Sequence, residues 1–191
     1  MSGSEGIEGS TSIWQGIKGV GTKAQLSVSN DGIEASPDKY DVAIVVIGET
    51  PYAEGIGDIR VDDKVITEAA SQINGQMNIL QASGVSLELN KLYPEDYQII
   101  NNIKDKGVPV IAILISGRPL IIEQELALSD AFIAAWLPGS EGQGISDVLF
   151  GSHNFTGKLA FSWPQLSQPK VNKDDKDYNP LFPYGFGLIY H

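Results

Sequence analysis

The chain has 191 residues, 42% hydrophobic and 19% charged, enough for one well-buried domain of ordinary globular composition. Its net charge of −11 excludes a nucleic-acid partner, which needs clustered Lys and Arg, and would repel an anionic membrane surface. Without cysteine there are no disulfides, thiol nucleophiles or zinc–thiolate sites; with only His153 and His191 as histidines, no metal or other cofactor is expected.

Residues 1–12 are rich in Gly, Ser and Glu, with neither a basic nor an apolar stretch. They do not read as a signal peptide, but as a polar lead-in or the remnant of an interdomain linker. No apolar run reaches the ~20 residues of a spanning helix. Residues 23–27 are a weak strand candidate. The first strong strand is 41–49, DVAIVVIGE, a run of Val and Ile without alternation. Residues 63–82 place Val65, Ile66, Ala69, Ile73, Met77 and Leu80 at spacings of three and four, which predicts a helix. After a weak strand candidate at 86–89, residues 94–106 begin with Pro, Glu and Asp and end in Lys, Asp and Lys before Gly107, which predicts a second helix.

Residues 108–115 and 131–136 are two more unalternated apolar runs, and 140–150 follows a glycine-rich turn as a further helix; 159–163 is a weak strand. Unalternated strands separated by helices predict an α/β fold: a three-layer αβα sandwich around a mostly parallel sheet. Chemistry in such sheets collects beyond the carboxyl ends of the strands. The loops after Ile47, Ile115 and Trp136 are therefore the places to look.

The first of these loops carries Glu49, Glu54 and Asp58 within ten residues, between Pro51 and the flexible Gly55 and Gly57. A carboxyl group on a positioned, adjustable loop suits acid/base work. The same three residues also fit a bland reading, with Glu49 ending the strand and Glu54 and Asp58 as solvated charges. Arg118, in the second loop, can bind a loop carboxylate or clamp a substrate. In the third, Pro138-Gly139-Ser140-Glu141-Gly142 lacks a phosphate-binding lysine, and Glu141 puts negative charge where a phosphate would sit. It reads as a tight turn in which Ser140 or Glu141 satisfies helix amides. Trp14 can be a stacking platform for a sugar face or part of a local aromatic cluster. Trp136 and Trp163 lie in or beside strands and are expected in the core.

In order along the chain, WQG at 14–16, DVAIVVIGETPYAEGIGD at 41–58, ILISGRPLII at 113–122, SDAFIAAWLPGSEGQGISDVLFG at 129–151, NFTGKLAFSWP at 154–164 and YNPLFPYGFGL at 178–188 resemble the second domain of glycoside hydrolase family 3, the β-glucosidases and exo-1,3/1,4-β-glucanases. The resemblance makes 13–191 a six-stranded α/β sandwich that follows a (β/α)8 barrel. It implies that Glu54 is the general acid/base and that Trp14 stacks on the sugar at the outer subsite; Glu49, Asp58, Arg118 and Glu141 are read from the residues as structural or supporting groups. The substrate implied is a β-glucan or oligosaccharide, in a parent enzyme that is periplasmic or secreted. The nucleophilic aspartate belongs to the barrel, which this sequence lacks. Residues 59–92 also look longer than their family counterpart.

Retaining hydrolysis needs two carboxyl groups about 5–5.5 Å apart, so one carboxylate without its partner is not expected to hydrolyse glycosides. Two other readings remain open: a stand-alone carbohydrate-binding module, and a small hydrolase built around Glu49, Glu54 and Asp58. A surface shaped to face a barrel is expected to be partly apolar and to favour self-association.

Overall fold

A computed structural model describes residues 7–27, 29–50, 66–73, 76–80 and 85–190. In chain order the elements are α1 (Ile13–Gly19), β1 (Ala43–Gly48), β2 (Ile66–Ile73), β3 (Gln76–Leu80), α2 (Leu89–Leu92), α3 (Pro94–Asp105), β4 (Val110–Ile115), α4 (Glu123–Leu128), β5 (Ala131–Trp136) and α5 (Gly142–Leu149). Strands β1, β4 and β5 form a parallel sheet with β4 in the middle, pairing Ala43 with Val110 and Ile111 with Ala131.

The central strand is buried on both faces, which is why it carries no polar alternation. Val110, Ala112 and Leu114 face one core together with Val45 and Ile47 of β1. Ile113, of opposite parity, is wholly buried too. The core is closed by Ile100 and Ile103 of α3, Leu89, Leu120, Ile122 and Trp163. Each fully buried Leu or Ile contributes about 1.5–3 kcal/mol, so this cluster carries much of the fold. Trp163 is 2% exposed, and its indole Nε1 donates to the Leu120 carbonyl at 2.7 Å, which satisfies its one polar atom. Trp136 is only half-buried, packed edge-on to Phe161 and tilted against Trp163.

Helix α3 begins with Pro94 and acidic Glu95 and Asp96 and ends with Lys104 in its last turn, in accord with the helix dipole. Asp130 ties its end to the sheet: one carboxylate takes Lys104 Nζ at 2.9 Å and the Val110 amide at 2.8 Å.

The helix expected over 63–82 is corrected by the structure. Its described residues are two antiparallel strands, β2 and β3, with Ile73 opposite Gln76. Asn74-Gly75, between them in sequence, is a strong hairpin signal that the three-and-four spacing obscured. Three weak strand candidates also fail. Residues 23–27 form no strand. Residues 86–89 provide only an isolated bridge from Glu88 to Ile121, and 159–163 only one from Trp163 to Phe182. Among the described residues the sheet is three-stranded and parallel, with the β2–β3 ribbon separate from it.

One core position is unexpected. Glu125, on α4, is 1% exposed, and among the described residues neither carboxyl oxygen meets a donor in hydrogen-bonding geometry. Burial pushes its carboxyl up to about 7; its own amide tempers the rise and the charge of Asp96 adds to it. The folded state therefore holds this proton more tightly than the unfolded chain. Its stabilising contribution is complete below the ordinary value of 4.5 and is lost as pH rises towards 7. Glu125→Gln keeps the shape and removes the charge. It is expected to match the parent below pH 4.5 and to exceed it above pH 7 by up to about 3 kcal/mol in urea unfolding. Parallel pH–stability curves for the two proteins would contradict this.

Candidate active-site edge

The carboxyl ends of β1 and β4 come together through a glycine. Gly48 has φ +154°, and a Cβ there would collide with the Ile115 carbonyl oxygen, so no other residue lets β1 finish this close to β4. The next amide, of Glu49, donates to that same oxygen at 3.0 Å. The Glu49 side chain is thereby turned into the protein, where it is 2% exposed. Arg118, from the loop after β4, donates to Glu49 Oε1 through Nε at 2.9 Å and through Nη2 at 2.5 Å. Buried Ser116 Oγ lies 2.6 Å from Glu49 Oε2 and 2.7 Å from the Arg118 carbonyl, and shares its one proton between them.

Strand β5 braces this cluster from the other side. The β4–β5 register shifts at Leu114/Ile115, and Trp136 ends β5 with φ +56°. That left-handed backbone costs a tryptophan on the order of 1–3 kcal/mol. It aims the Trp136 carbonyl at the Ser116 amide, 3.1 Å away. All three strand ends thus meet around one buried ion pair.

The first turn of α3 holds the chain just beyond β1. Asp96 Oδ2 accepts the Gly48 amide at 3.1 Å, and the Tyr93 hydroxyl accepts the Thr50 amide at 3.1 Å. The same hydroxyl is 3.1 Å from Thr50 Oγ1. Partial burial raises the Asp96 carboxyl above its ordinary value; the Gly48 bond opposes this and neighbouring Glu95 adds to it. Glu54 and Asp58 lie outside the described residues.

Trp14 and Glu141 belong to a second unit. Ser12 and Gln15 form a reciprocal capping box that starts α1, with Gln15 N to Ser12 Oγ at 3.1 Å and Ser12 N to Gln15 Oε1 at 2.7 Å. Helix α1 packs on α5 through glycines: a Cβ on Gly16 would meet Gly142 O at 2.6 Å, and one on Gly142 would collide with the Ser12 carbonyl carbon. Trp14 sits half-buried on this short helix. The glycine-rich turn is structural, but its side-chain cap comes from a residue other than Ser140 or Glu141. Thr11 accepts the Gly142 amide through its carbonyl at 3.0 Å and the Gln143 amide through Oγ1 at 2.9 Å. Glu141 is exposed, and only its carbonyl, not its side chain, meets α5, accepting the Gly144 amide at 3.0 Å.

Among the described residues no group of three or more His, Asp or Glu could hold a metal ion. No helix among them is long and apolar enough to cross a membrane.

The family model described as the glycosyl hydrolase family 3 C-terminal domain matches residues 1–190. The chain belongs to this family. An exo-1,3/1,4-β-glucanase from a Pseudoalteromonas species is 39% identical and superimposes with a TM-score of 0.70, over 95% of this chain and 21% of that one. A β-glucosidase from Listeria innocua, 23% identical with a TM-score of 0.62, shares the fold over 95% of this chain and 26% of its own. The periplasmic β-glucosidase of Salmonella typhimurium is 29% identical over 194 residues, covering 86% of this chain and 24% of that protein. The chain thus spans about a quarter of the length of such family 3 relatives.

No local pattern in the sequence marks Tyr93, Asp96, Thr11 or Glu125. Tyr93 and Asp96 open a helix, where acidic residues are expected for dipole reasons alone. Their grip on β1 depends on a contact across more than forty residues of chain.

Removing one partner of a buried ion pair strands the other's charge, at a cost of about 3–5 kcal/mol. Arg118→Ala is expected to lower unfolding stability by that amount, and Arg118→Ala with Glu49→Gln to recover a large part of it. Equal stability of Arg118→Ala and the parent in urea would contradict the pair's role.

Proposed function

We propose that this chain is the acid/base-bearing domain of a retaining β-glycoside hydrolase of the exo-β-glucanase or β-glucosidase type. Glu54 protonates the glycosidic oxygen as an aspartate on a separate (β/α)8 barrel domain attacks the anomeric carbon. The same carboxylate then takes a proton from the water that releases the sugar. Trp14 offers its indole to the sugar at the outer subsite. Asp58 and Glu141 lie around that site, with Glu49 and Arg118 as its fixed frame. The same proposal extends the parallel sheet to six strands in a three-layer sandwich, with residues 1–12 leading in from the barrel.

The observation that carries this reading is the family match over residues 1–190. Two others support it. A solved exo-1,3/1,4-β-glucanase is 39% identical over 95% of the chain. The loop bearing Glu54 also leaves the sheet at the carboxyl end of β1, where α/β sheets concentrate their chemistry. The substrate is a neutral β-glucan or oligosaccharide, compatible with the net charge of −11. A relative named as periplasmic and one named as lysosomal favour a periplasmic or secreted parent.

The retaining geometry demands a second carboxylate about 5–5.5 Å away, on the barrel. Purified alone, the chain is expected to show no turnover of an aryl β-glucoside. Mixed with or fused to a family 3 barrel domain, it is expected to restore turnover that Glu54→Gln removes. Turnover by the isolated chain would contradict the division of the site. Laminari- or cello-oligosaccharide binding in calorimetry, with no gain from the barrel, would make it a carbohydrate-binding module instead.

The face that meets the barrel is also expected to drive self-association of the isolated domain. Light scattering at rising concentration checks this, and a constant monomer mass would contradict it.

A further inference from the structure

We infer that Asp96 and Tyr93, on the opening turn of α3, are positioning residues for the acid/base loop: they fix the backbone at Gly48 and Thr50, from which the chain runs on to Glu54. The inference rests on the acid/base reading of Glu54 given above.

Three observations carry it. First, the two contacts are made to donors of a strand that has just ended. Gly48 gives its amide to Asp96 at 3.1 Å, and Thr50 gives its amide to Tyr93 at 3.1 Å. The intervening Glu49 amide goes to Ile115, and its side chain to Arg118 and Ser116. Every amide from Gly48 to Thr50 is thus bound outside β1, two of them to the opening of α3 and one to β4, and Pro51, which follows, has none to give. Second, Glu54 lies only four residues past the last anchor in sequence. Third, neither contact is needed to build α3. The cap residue of that helix is Tyr93, which makes no side-chain bond to it, and Asp96 turns its carboxylate away to β1.

Glu95 flanks Asp96 on α3, and Glu125 faces it from α4. Both are carboxyls, so it is the Gly48 amide that favours the ionised form of Asp96. An anionic acceptor makes a stronger hydrogen bond than a neutral one, which gives Asp96 a firmer hold than an asparagine would have.

A proton donor matters in proportion to how badly the leaving group needs a proton. Misplacing a catalytic group by about 1 Å can cost on the order of 100-fold. The test compares Asp96→Ala, Asp96→Asn, Tyr93→Phe and Glu54→Gln in the chain joined to its barrel, across β-glucosides whose leaving groups run from dinitrophenolate to alkoxide. Asp96→Ala is expected to lose roughly 10- to 100-fold in kcat/KM on the alkyl glucoside and little on the dinitrophenyl glucoside. Tyr93→Phe is expected to follow the same trend more weakly, and Asp96→Asn to recover part of the loss. A loss uniform across leaving groups, or none, would overturn the inference even if Glu54→Gln shows the graded pattern. A flat series for Glu54→Gln would instead overturn the acid/base reading.

The isolated chain supplies a second readout that needs no activity. Amide exchange at Gly48 and Thr50 is expected to quicken in Asp96→Ala and Tyr93→Phe, with shifted amide resonances over residues 51–58 and unchanged exchange at Val45 and Leu114. Unshifted resonances over 51–58 would overturn the inference. If Asp96→Ala does not fold, Tyr93→Phe, which removes one oxygen atom, carries both readouts.

Discussion

The ends of three strands are held by one buried ion pair. A carboxylate that is 2% exposed stays ionised only if its charge is met locally, and Arg118 and Ser116 do this for Glu49. The requirement propagates outward. Glu49 can turn inwards only because Gly48 lets β1 close on β4, and Ser116 is held in place by a carbonyl that Trp136 presents from a left-handed backbone. A hydrophobic replacement of similar volume would fill the same space, but it would not fix where the chain leaves the sheet. The pair gives the carboxyl edge a single geometry, and the α3 anchors extend that geometry to Thr50.

The parts of this architecture that follow from short-range pattern were legible in the sequence. Apolar runs at 41–49, 108–115 and 131–136 mark the strands because a strand buried on both faces has no position for a polar residue. The helix 94–106 announces itself by Pro94, its acidic start and Gly107 at its end. The β2–β3 ribbon is hidden in the sequence because Ile66, Ala69, Ile73, Met77 and Leu80 fall at helical spacing, while the hairpin signal Asn74-Gly75 is only two residues long. Helix α1 and the cap of α5 were not legible. Thr11 acts on Gln143 across the whole domain, and no local pattern encodes that contact.

The site divides in the same way. Loops after parallel strands were identifiable by position, and Arg118 could be matched in kind to a loop carboxylate. Its choice of Glu49 is a tertiary fact. The buried carboxyl of Glu125 had no sequence signature, because a glutamate in a helical stretch is ordinarily solvated. Its proximity to Asp96, and that of Asp96 to β1, link the acidic interior of the helical layer to the edge where the chemistry is proposed.

The proposed sharing of two carboxylates between this domain and a barrel has a chemical signature. If Glu54 is the acid/base and the nucleophile stands on the barrel, deleting the Glu54 carboxyl stops water from attacking the glycosyl–enzyme but does not stop a small anion that needs no proton removed. The most direct measurement is turnover of dinitrophenyl β-glucoside by barrel-joined Glu54→Ala with added azide. Restored turnover that yields the β-glucosyl azide is the predicted result. Failure of azide to restore turnover, or formation of the α-azide, would contradict the account, because the second outcome would make the deleted carboxyl the nucleophile.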